Sequence, residues 1–183
     1  AWHFEFRPED HDDGEKTFLG ESGNFNGEDI IEIIARNPAA ARFLSTRLFQ
    51  FFAADKVDEE GEKVIEAMIE SYFESGFEVR SVLRTLFLSD YFKSELARHA
   101  RVKGPVEQMV GAIRLAGSYR TPTFGMDKVA EMALFMGQGL LVPPTVEGWH
   151  EGEEWVDSGA LVERVNFAAN ELGNAELPGV RSI

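Results

Sequence analysis

Cysteine is absent from the chain, which excludes thiolate catalysis, thiolate zinc sites and disulfide staples. No run approaches the ~18 uninterrupted apolar residues of a membrane span. Residues 1–8 carry charges and have no apolar stretch, so they do not read as a signal peptide. An export signal would have to lie upstream, as expected for a chain that opens on "AWHFEF" like a fragment of a longer protein. Basic side chains are scarce, with 18 Lys and Arg against 32 Asp and Glu and a formal net charge of −14. Phosphate binding needs a basic surplus on one face, so nucleic acid is not an expected partner. The common catalytic signatures are missing as well: no Gly-x-Ser-x-Gly elbow, no phosphate-binding Walker loop and no Gly-x-Gly-x-x-Gly.

What is present is a core-forming composition. Fifteen phenylalanines in 183 residues argue against disorder, and a chain of this size buries roughly 70% of its unfolded surface without staples. It reads as a single helical domain over 1–183, with an irregular acidic arm over 1–25, a helical core over 26–172 and a tail over 173–183. The acids cluster: residues 1–29 and residues 55–78 each carry a net charge of −7, and the other positions cancel. The one basic run, Arg98 to Lys103, reads as a solvated linker, with an anion or partner site as the alternative.

Helical signals begin at Asn26, which can cap a helix carrying Glu28 and Asp29 in its first turn and burying Ile30, Ile31, Ile33 and Ile34. Asn37-Pro38 is a second start, with Pro at the first helical position. The helix after it is apolar at Phe43, Leu44, Leu48, Phe51 and Phe52. Asp58 opens a third, in which Val64, Ile65, Met68, Ile69, Tyr72 and Phe73 recur with the helical period. Shorter helices follow at Val79–Phe87 and after Ser89-Asp90. Gly104-Pro105 starts another, with Val106, Met109, Val110 and Ile113 inward. Residues 126–139 continue helical to a Gly-rich end, and Ser158 can cap a last helix running to about Leu172. With no strand alternation, the expectation is an all-α, irregular bundle of about seven or eight helices.

One stretch breaks this pattern. "LVPPTVEGWHEGEEW" at 141–155 cannot be helical through Pro143-Pro144, and it holds two of the three tryptophans. Loops of this length inside a domain are usually functional or well packed. Trp149 and Trp155 either plug a gap between helices or offer a ring on which a sugar or a partner stacks. The last helix places Asn166 beside them as a further ligand-binding candidate, although Arg164 and Asn166 can equally satisfy buried carbonyls of the Pro-Pro loop.

Two stretches carry a resemblance. His11-Asp12-Asp13-Gly14-Glu15-Lys16 with Leu19-Gly20, and Pro143-Pro144, Gly148-Trp149, Trp155 and Arg164-Val165-Asn166-Phe167, together with Asn37-Pro38 and Lys103-Gly104-Pro105 between them, resemble the ordered blocks of a large, mainly bacterial family. That family is known only as domain of unknown function number eighteen hundred. Thr145 stands where the family usually has Asn, and His150 where Pro is common. The resemblance covers roughly residues 3–170 and implies the C-terminal part of an exported or envelope-associated bacterial protein. It implies no reaction.

The chemical readings are three. "HEGEE" at 150–154 superficially matches His-Glu-x-x-His, but Glu154 replaces the second His and Gly152 opposes the helix that motif needs. Asp10, Asp12, Asp13 and Glu15 offer hard oxygens suited to calcium, against the plainer reading of a solvated acidic arm. His11, Asp12, Lys16, His150 and Arg164 are the catalytic candidates, since a carboxylate beside an imidazole is the minimum for general acid–base work and Arg can orient an anionic or sugar substrate. The preferred expectation is a non-catalytic interaction or scaffold module whose partner is a protein, with no cofactor. The alternative is a hydrolase acting on an extracellular polymer, with carbohydrate as the ligand.

Overall fold

The computed structural model describes residues 3–156, 158–174, 176, 177 and 180, with Ser158 described by its backbone alone. The cap expected from the Ser158 side chain, and much of the tail expected over 173–183, therefore lie outside the described residues. The chain divides into two compact units, Ala1–Arg98 and His99–Ile183. Among the described residues there are eight α-helices, one two-stranded hairpin and two short 3-10 turns, an irregular all-α fold.

The first unit begins with a 3-10 turn at Pro8–Asp10 and an antiparallel hairpin, β1 (Lys16–Phe18) and β2 (Glu21–Gly23). The arm expected to be irregular over 1–25 thus contains a hairpin. The connection is the two residues Leu19 and Gly20, both at positive φ (49° and 89°), as the tightest right-twisting hairpin turn requires. Helix α1 (Gly27–Arg36) starts on Asn26, whose Oδ1 accepts from the N–H groups of Glu28 and Asp29 while Asp29 accepts in return from the Asn26 N–H. That reciprocal pair satisfies orphan donors at both positions. Only Ile33 of its isoleucines is buried, whereas Ile31 and Ile34 are exposed, contrary to the expected four-residue stripe.

Helix α2 (Pro38–Phe52) packs against α3 (Glu59–Glu74), which also packs against α4 (Val79–Leu88). The buried line on α2 is Ala41, Ser45 and Phe49, while Phe43 and Phe51 stay mostly exposed. Close approach decides which side faces in. A methyl at Gly61 would lie 2.7 Å from Phe49 Cζ, so the α2–α3 crossing admits small residues and one ring, and the other rings fall outside it. The expected α3 stripe holds at Ile65, Met68 and Tyr72, all buried. The Tyr72 hydroxyl donates to the Ala35 carbonyl at 3.1 Å. Phe52, Phe87 and Phe92 form an edge-to-face series beside this core. Ser89 caps the short α5 (Asp90–Lys93).

In the second unit, α6 (Pro105–Ala116) ends on Gly117 in the left-handed conformation at φ 74°, the expected stop. Helix α7 (Asp127–Phe135) is shorter than expected because Gly137 turns left-handed at φ 88°. Helix α8 (Ser158–Leu172) has the expected bounds. The core joins Met109 and Ala112 of α6, Ala133 and Met136 from α7 and its end, and Phe167 of α8, with Val106, Ile113, Val129 and Met132 packed around them. Val110 lies exposed rather than inward. The Pro-Pro loop is not wholly irregular, since Gly152–Trp155 form a 3-10 turn.

Candidate functional site

The candidate residues divide between the two units: Asp10, His11, Asp12, Asp13, Glu15 and Lys16 in the first, and Trp149, His150, Trp155, Arg164 and Asn166 in the second.

In the first unit the His-Asp block folds over the foot of the hairpin. Asp12 Oδ1 accepts the Gly14 N–H at 2.9 Å, a local turn that Asp makes readily because its side chain mimics a backbone carbonyl. His11 Nε2 donates to the Phe25 carbonyl at 3.2 Å, and Nδ1 lies 3.1 Å from Asp13 Oδ1. Both ring nitrogens are engaged, and the ring is edge-on to Phe6. Hydrogen bonds from His11 and Asn24 hold the Asp13 carboxyl below its ordinary range. The oxygens of this loop converge on the chain's own cation: Lys16 Nζ donates to the Asp12 carbonyl, and to the Gly14 carbonyl and Asn24 Oδ1 at 3.1 Å each. An ammonium has three donors, and these three oxygens take them all. Asp10 pairs with Arg7 at 3.1 Å, and Glu15 is exposed. Among the described residues no group of three or more His, Asp or Glu side chains is placed to hold a metal ion.

In the second unit the central residue is Arg164. It lies on α8 in line with Ala160 and Phe167 and is only 7% exposed. Nη1 donates to the Trp155 carbonyl at 3.1 Å, Nη2 to the Lys103 carbonyl at 2.7 Å, and Nε to Gln108 Oε1. Gln108 Nε2 donates in turn to the Arg164 carbonyl at 3.2 Å. One guanidinium thus ties α8 to the turn before α6, to the first turns of α6 and to the end of the Pro-Pro loop. These partners are neutral oxygens, and desolvation lowers the Arg164 pKa.

The tryptophans complete the arrangement. Trp155 is buried at 6% exposure. Trp149 is half-buried and its Nε1 donates to the Gly139 carbonyl at 3.0 Å. Gln138 Oε1 accepts the Val106 N–H at 2.8 Å, capping α6 where Gly104 has no side chain to do so. A methyl at Gly104 would sit 3.1 Å from that oxygen and 3.6 Å from Trp155 Nε1, so a side chain there would crowd the Gln138 cap. His150 is at the surface, its side chain 55% exposed and Nδ1 3.1 Å from Glu154 Oε2, edge-on to Trp155. Asn166 is exposed. Gln108 and Gln138 escaped the sequence reading. The missing cap before Pro105 was the one available signal, because a helix start without Ser, Thr, Asp or Asn must find an acceptor elsewhere.

The family model described as "Protein of unknown function (DUF1800)" matches residues 1–176, and the chain belongs to that family. No curated protein and no solved structure matches it. No helix among the described residues is long and apolar enough to cross a membrane.

Proposed function

We propose that this chain is a non-catalytic interaction module of a bacterial envelope or secreted protein, in which the two motif blocks are locks rather than reaction centres. One observation carries the reading: five of the chemistry-bearing side chains, His11, Asp12, Lys16, Trp149 and Arg164, spend hydrogen bonds on the chain's own backbone. His11 holds Phe25, Asp12 holds Gly14, Lys16 holds Asp12 and Gly14, Trp149 holds Gly139, and Arg164 holds Lys103 and Trp155. A general base needs a free lone pair within reach of a substrate proton, and His11 offers neither nitrogen. An arginine that orients a substrate needs open donors, and Arg164 is enclosed. The extracytoplasmic location rests on the family resemblance alone.

A second reading keeps one observation on its side. His150 is exposed and oriented by Glu154, the minimum pair for base-assisted hydrolysis of an extracellular polymer. The two readings separate in one experiment. The purified chain is incubated with chromogenic esters, glycosides and phosphates, as wild type and as His150→Ala. The module reading expects no protein-dependent turnover from either. Turnover that disappears in His150→Ala would establish the hydrolase instead.

A further inference from the structure

The loop that carries the double proline also presents an apolar tip. Leu140, Leu141, Val142 and Val146 are 52%, 93%, 69% and 105% exposed, and Pro143, Pro144 and Thr145 between them are exposed too. Scattered surface hydrophobics are ordinary, but a run of this kind marks an interaction site. Its feet are fastened: the Gly139 carbonyl accepts from Trp149 Nε1 at 3.0 Å and from the Val142 N–H at 3.3 Å, and the Gly148 N–H donates to the Thr145 carbonyl at 3.2 Å. Leu141 sits at φ 62°, a left-handed conformation that strains any residue with a branched side chain. The fold thus holds a strained backbone at a residue whose side chain is almost wholly exposed. Leu134 extends the patch, since a methyl at Gly139 would come within 2.9 Å of Leu134 Cδ1 and 3.8 Å of Val142 Cβ.

Charge narrows what can cover this tip. Residues 129–163 contain seven acids and no Lys or Arg, and Glu147, Glu151, Glu153 and Glu154 next to the tip are all exposed. Such an acidic stretch disfavours phosphate-rich surfaces, whether nucleic acid or anionic lipid, and favours basic ones. We infer that Leu140–Val146 is a docking tip for a protein surface that offers an apolar socket rimmed by Lys and Arg. This rests on the module reading and supplies its partner chemistry.

The test uses fluorescence anisotropy with a labelled amphipathic helix of leucine and lysine as the probe. Its glutamate-for-lysine counterpart and vesicles of phosphatidylcholine, with and without phosphatidylglycerol, are run beside it. Wild type is compared with Leu141→Asp/Val146→Asp and with Glu147→Gln/Glu151→Gln/Glu153→Gln. The single change Val146→Ser is held in reserve should the double variant lose its helical circular dichroism. The expected result is salt-sensitive binding of the lysine helix, weakened at least ~10-fold by the tip change and by less in the collar variant. Absence of saturable binding, equal binding by the tip variant, equal binding of the glutamate helix, or tip-dependent vesicle binding would each overturn it. Such a failure without any turnover in the chromogenic panel removes the docking tip alone, whereas His150-dependent turnover removes the module reading beneath it.

Discussion

Replacing Arg164 by methionine tests the lock in the second unit directly. Methionine keeps most of the apolar stem's packing, so the change isolates the guanidinium. Three acceptors lose their donor: the Trp155 carbonyl, the Lys103 carbonyl and Gln108 Oε1. A buried acceptor without a partner costs about 1–3 kcal/mol. Only the Trp155 contact is buried outright and the other two are part-buried, so water recovers some of the loss there. Relief of the desolvation that lowers the Arg164 pKa offsets a further part. The balance is a destabilisation of about 2–4 kcal/mol, large against a typical domain stability of about 5–15 kcal/mol.

Urea unfolding followed by tryptophan emission reads mainly this unit, because two of the three tryptophans, Trp149 and Trp155, lie in it. Arg164→Lys should fall between, since one ammonium cannot span acceptors that the planar fork reaches together. Lys103→Ala should be near neutral, because the lock uses its carbonyl and not its side chain. In a double-mutant cycle with Gln108→Leu, the combined loss should be smaller than the sum by about 1 kcal/mol. An Arg164→Met variant within about 0.5 kcal/mol of wild type, the range of an ordinary surface change, would refute the reasoning.

Gly61→Ala should destabilise by about 1–2 kcal/mol even though alanine improves a helix by about 1 kcal/mol, because overpacking a fixed ring costs more. The added methyl would meet Phe49 Cζ at 2.7 Å, and Phe49 is fully buried against Tyr91; thermal unfolding reads the sign. Ser45→Ala should stabilise by about 1 kcal/mol, since Ser45 Oγ is buried with no hydrogen-bond partner among the described residues and alanine removes an uncompensated hydroxyl while favouring the helix. A stability loss in that variant would show that the hydroxyl has a partner, such as a bound water. For Asp13, the folded carboxyl is held below its ordinary 3.8, so the unfolded chain takes up the proton first as pH falls. Its contribution is therefore complete above that value and vanishes as pH drops through the lower folded one. Asp13→Asn should remove this small acid-side slope from the urea midpoint while leaving the neutral-pH slope unchanged.

Helix starts were legible because they are written in side chains: Asn26, Asn37-Pro38, Asp58, Ser89 and Gly104-Pro105 each open the helix assigned to them. The hairpin was not, because its turn is Leu19-Gly20 and the readable signature puts Asn or Asp before the Gly. The inward side of α2 was hidden for another reason. Phe49 meets Gly61 across the α2–α3 crossing and shares its buried line with Ala41 and Ser45, and the large apolar residues Phe43, Leu44, Leu48, Phe51 and Phe52 give no hint that a small-residue crossing selects that line.

The site divides along the same line. Arg164 falls on the α8 stripe between Ala160 and Phe167, and an arginine on an apolar stripe is a visible sign of a buried, fully bonded cation. Its identity as a candidate could therefore be read, but its partners could not. A carbonyl stands at every position, so nothing in "RVKGP" or "EEW" marks the Lys103 and Trp155 oxygens as the ones it reaches. Lys16 repeats the case, with the Asp12 and Gly14 carbonyls supplying two of its three acceptors. A reaction centre gathers side chains from several positions and so leaves a constellation of residue types in the sequence. A lock draws one side chain onto the backbone and leaves a single residue with no visible counterpart. His11, Lys16 and Arg164 each combine one side-chain partner (Asp13, Asn24 and Gln108) with one or two backbone carbonyls, and the carbonyl half of each set leaves no mark in the sequence.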